Sequence, residues 1–255
     1  MFKLVILVSA VTCALAAVVP EDPSPQIEGR IVGGNEGNIN QYPYLVSVQR
    51  NGTHICGGSI YSNKIIVTAA HCLQNVWTNE LRVRAGSSTW NSGGILYYVY
   101  SYRNHEDYNP TTMENDVAVI LLSTILSFST TIAKIDLTYY GPLNGATGTV
   151  IGWGTTSFNG SISDHLRYTA VTIISPTQCG SSAYRYGSTI KSNMFCASAE
   201  GKDACQKDSG GPLIYNNFLI GIVSWGYGCA YSGYPGVYTD VAQMRSWIMK
   251  NAITV

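Results

Sequence analysis

The sequence predicts an all-β protein with many short strands and one C-terminal helix. The chain has 255 residues, of which 45% are apolar, 26 are Gly and 18 are Tyr, a composition typical of a well-packed, turn-rich fold. Short β-branched or aromatic runs recur between turn-forming residues, at 44–48, 64–68, 81–85, 116–122, 149–152, 169–174 and 218–225. Such a pattern indicates a sandwich or barrel, and the length allows one large domain or two small lobes.

The one predicted helix lies at the end of the chain. Asp240 can cap its first turn, because an aspartate side chain accepts hydrogen bonds from free backbone N–H groups. Apolar residues then recur at helical spacing and predict a face that packs on the body of the protein: Val241, Met244, Ile248 and Ala252.

The first residues have the organisation of a secretory signal. Met1-Phe2-Lys3 supplies a basic start, residues 4–16 an apolar run, and Ala14-Leu15-Ala16 a small-residue exit. A membrane anchor is the alternative, but about 13 apolar residues are too few to span a bilayer. We predict a signal peptide at 1–16 and a secreted, extracellular protein without a membrane span.

Residues 17–30 are predicted to form an exposed propeptide. Pro20, Pro23 and Pro25 favour an extended, exposed chain. The segment ends in Arg30, after which a protease can cleave. No linker or repeat follows, so residues 31–255 are expected to form one unit and a monomer.

Six of the seven cysteines remain once Cys13 leaves with the signal. Disulfides suit a secreted protein, and a zinc site is disfavoured because no CxxC pair is present and the histidines are not spaced as ligands. Six cysteines allow 15 pairings, so spacing alone cannot choose one.

The charge pattern excludes some partners. Only 12% of residues are charged, with 15 basic against 15 acidic side chains and no charge block. Nucleic acid is therefore not an expected partner, and nothing in the sequence calls for a cofactor.

Three short motifs carry the chemistry. Thr68-Ala69-Ala70-His71-Cys72 ends an apolar run with a histidine, Asn115-Asp116 begins another with an acid, and Asp208-Ser209-Gly210-Gly211-Pro212 places a serine in a glycine-rich turn. Each is weak alone, since such residues are more often structural. Together, in the order His, Asp, Ser, they resemble the chymotrypsin-like serine proteases, whose triad is a general template.

The resemblance covers nearly all of 31–255, from IVGG at the start to Ser224-Trp225-Gly226 near the end. It implies two packed antiparallel β-barrels with the triad in the cleft between them. Ser209 would attack the substrate carbonyl, His71 would take and return its proton, and Asp116 would orient and stabilise the imidazole. Histidine suits this work because its ordinary pKa, about 6.5, lies near working pH.

The oxyanion hole is implied to consist of the backbone N–H groups of Lys207 and Ser209. The family almost always has glycine two residues before the serine, where this chain has Lys207. A backbone N–H does not depend on the side chain, but a positive φ at this position would strain a lysine by about 1 kcal/mol or more. We also expect the lysine to crowd protein inhibitors and basic residues just after the scissile bond.

Substrate choice is implied to depend on Asp203 at the bottom of a deep pocket, which Ser224, Gly226 and Gly236 are expected to line. A buried carboxylate selects a cationic partner, so cleavage after Arg or Lys follows. Ala204 stands where many relatives have serine, and without that hydroxyl we expect a preference for Arg over Lys.

The junction Arg30-Ile31-Val32-Gly33-Gly34 resembles the activation site of zymogens. Cleavage after Arg30 would free the Ile31 amine to pair with Asp208 and order the oxyanion loop and the pocket. The family also implies the disulfides Cys56–Cys72, Cys179–Cys196 and Cys205–Cys229. A set of three disulfides resembles that of invertebrate digestive trypsins.

Two smaller features complete the sequence pattern. Asn51 and Asn159 begin glycosylation sequons on predicted loops. The segment 86–94, which matches the family's calcium loop, contains no acid, so no metal is expected. A digestive protease is the first hypothesis, and a regulatory protease of narrow specificity or an inactive homologue acting as a binding module are the alternatives.

Overall fold

The structure is a computed structural model that describes residues 30–32, 34–155, 161–199, 203–205, 207–227 and 233–254, with the backbone alone for 30–32 and 203–205. Its strands are β1 (Arg30–Val32), β2 (Asn35–Glu36), β3 (Leu45–Arg50), β4 (Thr53–Ile60), β5 (Ile65–Thr68), β6 (Leu81–Ala85), β7 (Ile95–Asn104), β8 (Ala118–Leu122), β9 (Asp136–Leu137), β10 (Thr147–Gly152), β11 (Arg167–Ile174), β12 (Met194–Ser198), β13 (Asp203–Cys205), β14 (Pro212–Tyr215), β15 (Phe218–Trp225) and β16 (Gly236–Asp240). The α-helices are α1 (Pro176–Cys179) and α2 (Val241–Thr254).

The first barrel closes in the order β3-β4-β5-β8-β7-β6, with antiparallel neighbours throughout. Side chains along a strand point alternately to the two faces of the sheet, and the burial pattern of β6 follows this period. In β6, Leu81, Val83 and Ala85 are buried, whereas Arg82 and Arg84 between them are half-buried. The barrel interior is therefore a packed apolar core.

The second barrel follows the order β10-β14-β15-β16-β12-β11, and the pairing of β10 with β11 closes the ring. β2 extends β11, and β9 adds a short parallel pair at β15. Phe195 and Tyr238 are both buried in its core, with ring centroids 5.6 Å apart. The predicted all-β class and the two-barrel architecture are confirmed.

Helix α2 forms where the sequence predicts it. The Asp240 carboxylate accepts hydrogen bonds from the backbone N–H groups of Ala242 (2.9 Å) and Gln243 (3.4 Å), which gives the helix its N-terminal cap. The predicted apolar face is buried at Val241, Met244 and Ile248 and half-buried at Ala252. In the part of the chain that the structure describes, no helix is both long and apolar enough to cross a bilayer.

Two disulfides lie within the described residues, and both pairings were predicted. Cys56–Cys72 joins β4 to the short 3-10 turn Ala70–Leu73, and Cys179–Cys196 joins α1 to β12. The third predicted pair, Cys205–Cys229, cannot be assessed because Cys229 lies outside the described residues.

The two barrels meet along β4 and the loop before β14. The Gly57 N–H donates to the Ser209 carbonyl at 2.8 Å, and a Cβ at Gly57 would lie 2.8 Å from the Gly211 Cα. Real Cβ atoms do not approach a backbone so closely, so glycine at position 57 allows this contact. The serine motif is thereby fixed against the first barrel.

Candidate active site

His71 and Asp116 are joined by two hydrogen bonds. The His71 ring nitrogen Nδ1 lies 2.7 Å from Asp116 Oδ2, and the His71 backbone N–H donates to Oδ1 at 2.9 Å. Asp116 is fully buried, and the His71 side chain is 6% exposed. Since a carboxylate accepts only, Nδ1 carries the proton, which leaves Nε2 as a base.

Asp116 receives a further hydrogen bond that the sequence did not predict. The Ser224 hydroxyl, at the end of β15, donates to Asp116 Oδ2 at 2.5 Å, and the Thr239 hydroxyl donates to the Asp116 backbone carbonyl at 2.9 Å. The Ser224 hydroxyl faces Asp116, and the lining of the substrate pocket by Ser224 stays a prediction. A carboxylate buried by both barrels is thus satisfied by three donors, as burial of a charge requires.

Ser209 lies in a tight turn and is 5% exposed. The Gly210 N–H donates to the Val223 carbonyl, and the Gly211 N–H donates to the Asp208 carbonyl, each at 2.8 Å. Gly210 has φ +77°, and a Cβ there would lie 2.7 Å from the Gly57 carbonyl oxygen and would also collide with the Thr68 hydroxyl. The turn therefore packs against Thr68, three residues before His71, and brings the serine motif to the histidine motif.

Lys207, the departure from the family pattern, has a positive φ of +76°. This is the left-handed region that glycine enters freely and other residues resist, so the strain anticipated from the sequence is present in the backbone. The Lys207 side chain is exposed. Its carbonyl oxygen lies 2.8 Å from Nε2 of His54, a buried residue of β4.

Asp208 is fully buried beside β10. Its Oδ1 accepts a hydrogen bond from the Gly154 N–H at 2.8 Å, and a Cβ at Gly152 would collide with the same carboxylate. On either side of the predicted activation bond, Arg30 and Ile31 pair with the strand Asp203–Cys205. The predicted junction therefore lies directly against the strand that carries the predicted pocket residue.

The predicted specificity pocket is described in part. Asp203 and Ala204 lie on β13, whose side chains are outside the description. Gly226 is buried and follows β15, and Gly236 is half-buried and begins β16, which pairs with β15. The two glycines thus lie at the paired ends of neighbouring strands.

Three potential metal ligands lie together at the site because two of them form a disulfide. The sulfurs of Cys56 and Cys72 and a ring nitrogen of His71 lie within 4.8 Å of one another. Both sulfurs form the disulfide, and a metal needs free thiolates. The cluster is therefore the bridge beside the histidine.

A two-barrel fold with a buried His–Asp pair and a serine turn between the barrels defines a serine endopeptidase. Residues 31–248 match the family model described as Trypsin. The chain is 57% identical to Trypsin delta of Drosophila melanogaster over 253 residues, which is 99% of this chain and 100% of the relative. The chain belongs to the trypsin family.

Other relatives agree over the full length. Trypsin alpha of Drosophila melanogaster is 57% identical over 256 residues, and Trypsin alpha-4 of Lucilia cuprina is 56% identical over 255, each alignment covering 100% of both chains. The protein is therefore a serine protease acting on polypeptides.

Proposed function

We propose that this protein is a secreted zymogen whose mature domain, residues 31–255, cleaves polypeptides after Arg and, less efficiently, after Lys. Residues 1–16 are the signal peptide and 17–30 the activation propeptide. The observation that carries the proposal is the hydrogen-bonded pair of His71 and Asp116, set beside the turn that holds Ser209.

The reaction assigns one role to each member of this group. Ser209 Oγ attacks the scissile carbonyl while His71 Nε2 takes its proton and later gives it to the leaving amine. Asp116 holds Nδ1–H and stabilises the imidazolium, and the 2.7 Å distance between Nδ1 and Oδ2 supports this role. Water then repeats the sequence and releases the acyl group from Ser209.

A negative charge develops on the carbonyl oxygen during attack, and its stabilisation is assigned to the backbone N–H groups of Lys207 and Ser209. Three contacts of this loop support a pre-organised hole: Lys207 O with His54 Nε2, Asp208 Oδ1 with the Gly154 N–H, and Ser209 O with the Gly57 N–H, all at 2.8 Å. Rigid donors matter because they cost no reorganisation during the reaction.

Arg selectivity is assigned to Asp203, with Gly226 and Gly236 leaving space for a long side chain. A guanidinium binds a carboxylate through two parallel hydrogen bonds, whereas an ammonium needs additional partners. Ala204 supplies none, so Arg is preferred. Ala204→Ser should narrow the ratio of kcat/KM for matched Arg and Lys amides, and an unchanged ratio would contradict this assignment.

Activation is assigned to cleavage between Arg30 and Ile31, after which the new amine pairs with Asp208. The burial of Asp208 supports this role, because a buried carboxylate favours a cationic partner. Since the junction ends in Arg, the mature enzyme can cleave its own precursor. An Asp208→Asn variant should fold and remain almost inactive after cleavage.

The biological role we favour is digestion, with Lys207 limiting the action of protein inhibitors. A regulatory protease of narrow specificity is the second candidate, because the exposed Lys207 side chain can also exclude substrates. Asn51 lies on the exposed turn between β3 and β4, which suits its proposed glycosylation, whereas Asn159 lies outside the described residues.

One experiment tests these assignments jointly. The precursor is cleaved at Arg30, and kcat/KM is measured on small Arg and Lys amides and on folded proteins. Broad cleavage of proteins supports digestion, and cleavage of few proteins supports regulation. Absence of turnover, equal to that of a Ser209→Ala control, would refute the proposed activity in favour of an inactive homologue.

A further inference from the structure

His54 is a buried histidine that the proposed reaction does not use. It lies on β4 and is 0% exposed. Its ring is enclosed by Trp153 and Trp90, with centroid distances of 5.8 Å and 6.2 Å. Burial lowers the pKa of His54 to about 4, so the ring is neutral at neutral pH and has one donor nitrogen and one acceptor nitrogen.

The contacts of His54 determine which nitrogen donates. The Lys207 carbonyl, 2.8 Å from Nε2, can only accept, so Nε2 carries the proton. Nδ1 must then accept from the Ser47 hydroxyl at 2.8 Å. Ser47 in turn accepts from Gln49 Nε2 at 3.2 Å, and the same Gln49 group donates to the Trp90 carbonyl at 2.6 Å. The donor and the acceptor of each hydrogen bond are therefore fixed along this chain of side chains: Gln49 donates to Ser47, Ser47 donates to His54, and His54 donates to the Lys207 carbonyl.

Among the described residues 207–212, which we call the serine loop, Lys207 is the one residue other than glycine with a positive φ. Its φ of +76° disfavours any residue with a Cβ. Relaxation to negative φ requires compensating rotations of the neighbouring peptide planes, and such rotations displace the N–H of Lys207. The His54 bond holds the plane between Lys207 and Asp208, and the Gly57 bond to Ser209 holds the turn two residues further on.

We infer that His54 is a positioning residue for the oxyanion hole, and that it is needed here because Lys207 occupies a backbone conformation suited to glycine. The inference rests on the proposed function of the Lys207 N–H. His54 touches neither the substrate nor the reacting atoms, and it acts through the Lys207 carbonyl. Its importance should therefore depend on which residue stands at position 207.

A double-mutant cycle measures this dependence. Wild type, His54→Phe, Lys207→Gly and the double variant are activated and assayed on one Arg amide. We expect His54→Phe to lower kcat about tenfold or more with little change in KM, because only transition-state stabilisation is lost. In the Lys207→Gly background the same change should cost less than about threefold, since glycine holds the positive φ unaided.

Two inhibitors distinguish a displaced oxyanion hole from general damage. An arginine aldehyde forms a tetrahedral adduct whose oxygen needs the hole, whereas benzamidine uses only the cationic pocket. His54→Phe should weaken aldehyde binding by the same factor as kcat and leave benzamidine binding unchanged. His165→Phe is the matched control, because the His165 side chain is 60% exposed.

If His54→Phe does not fold, a milder variant can test the same inference. Ser47→Ala removes the donor to Nδ1 and should give the same pattern at smaller amplitude. Equal loss of kcat in the wild-type and Lys207→Gly backgrounds, or parallel loss of aldehyde and benzamidine binding, would overturn the inference. If activated wild type does not cleave the Arg amide at all, the proposed function itself is wrong, which is a separate outcome.

Discussion

The Ser224 hydroxyl lies 2.5 Å from Asp116 Oδ2, the same oxygen that contacts His71 Nδ1. Both barrels therefore contribute to the environment of one carboxylate: His71 comes from the first, and Ser224 comes from β15 of the second. A hydrogen bond to a charged group contributes about 1.5–3 kcal/mol. Ser224 thus holds Asp116 in the orientation that keeps a proton on Nδ1.

Ser224→Ala tests this role. The Asp116 carboxylate would lose one of three donors in a buried site, and the imidazole would be less firmly oriented. We expect kcat to fall about tenfold, equivalent to about 1.4 kcal/mol, with KM nearly constant. Steady-state kinetics on one Arg amide measures the effect, with the exposed Ser123→Ala as control. A change confined to KM would instead indicate a role in substrate binding.

Gly152→Ala tests the packing around Asp208. The added methyl group would collide with the Asp208 carboxylate, so either the strand or the acid must shift. Because Asp208 is the proposed partner of the freed amine, we expect loss of most activity together with a stability loss of about 1–3 kcal/mol. Activity after cleavage at Arg30 and urea unfolding give the two readouts.

Gly141→Ala is the matched control for this experiment. Its φ is not positive, and its added Cβ would meet nothing nearer than Asp240 Oδ2 at 4.0 Å. Both activity and stability should therefore stay within experimental error of wild type. Full activity in Gly152→Ala would contradict the packing argument.

Seven of the twelve barrel strands were predicted, because their apolar runs are local, and β4, β7, β12, β14 and β16 were missed. The predicted run 218–225 coincides with β15, and 81–85 coincides with β6. β4 was missed because its centre contains Gly57 and Gly58, which read as turn residues although they allow close packing. β7 was missed because Tyr98 and Tyr100 point outward, so its apolar pattern is not confined to one face.

The candidate site was predictable where chemistry restricts the residue type. His71, Asp116 and Ser209 stand in short motifs, and the structure brings those motifs together. The partners of these residues were not predictable in the same way. Ser224 is 108 positions from Asp116, and His54 is 153 positions from Lys207. Only the closed barrels bring such residues together, and a serine or histidine within a strand has no local signature.

Lys207 should control the binding of protein inhibitors. Its exposed side chain projects from the serine loop, where a rigid inhibitor loop must approach. Lys207→Ala and Lys207→Gly should both tighten binding of a Kunitz-type inhibitor by about tenfold or more, which is at least about 1.4 kcal/mol. Inhibition constants with the activated enzyme measure the effect, and benzamidine, whose proposed site is the pocket of Asp203, serves as the comparison ligand.

The pair of variants separates the side chain from the backbone. Alanine removes the lysine side chain but retains the disfavoured positive φ, whereas glycine removes both. Equal gains in inhibitor binding indicate steric and charge exclusion by the lysine. A gain with glycine alone would mean that backbone strain, rather than the lysine side chain, weakens the inhibitor.

His54 should make the folded state sensitive to acid. Burial lowers its pKa from 6.5 to about 4, so between these two values the unfolded chain binds more protons than the native protein. Stability from this group is therefore complete above pH 6.5 and is lost as the pH falls towards 4. A shift of this size corresponds to about 3 kcal/mol.

Urea unfolding at about pH 7, 5.5 and 4 measures this loss, in a Ser209→Ala background that prevents self-digestion. His54→Gln carries no titrating ring, and its stability should be lower than that of the parent at neutral pH because it loses the buried contacts of the imidazole. The difference between the two proteins should then shrink by about 3 kcal/mol at the acid end. His165→Gln, which alters an exposed histidine, is the control for replacing a histidine outside the core. Parallel curves for the parent and His54→Gln would show that His54 is protonated equally in the native and unfolded states.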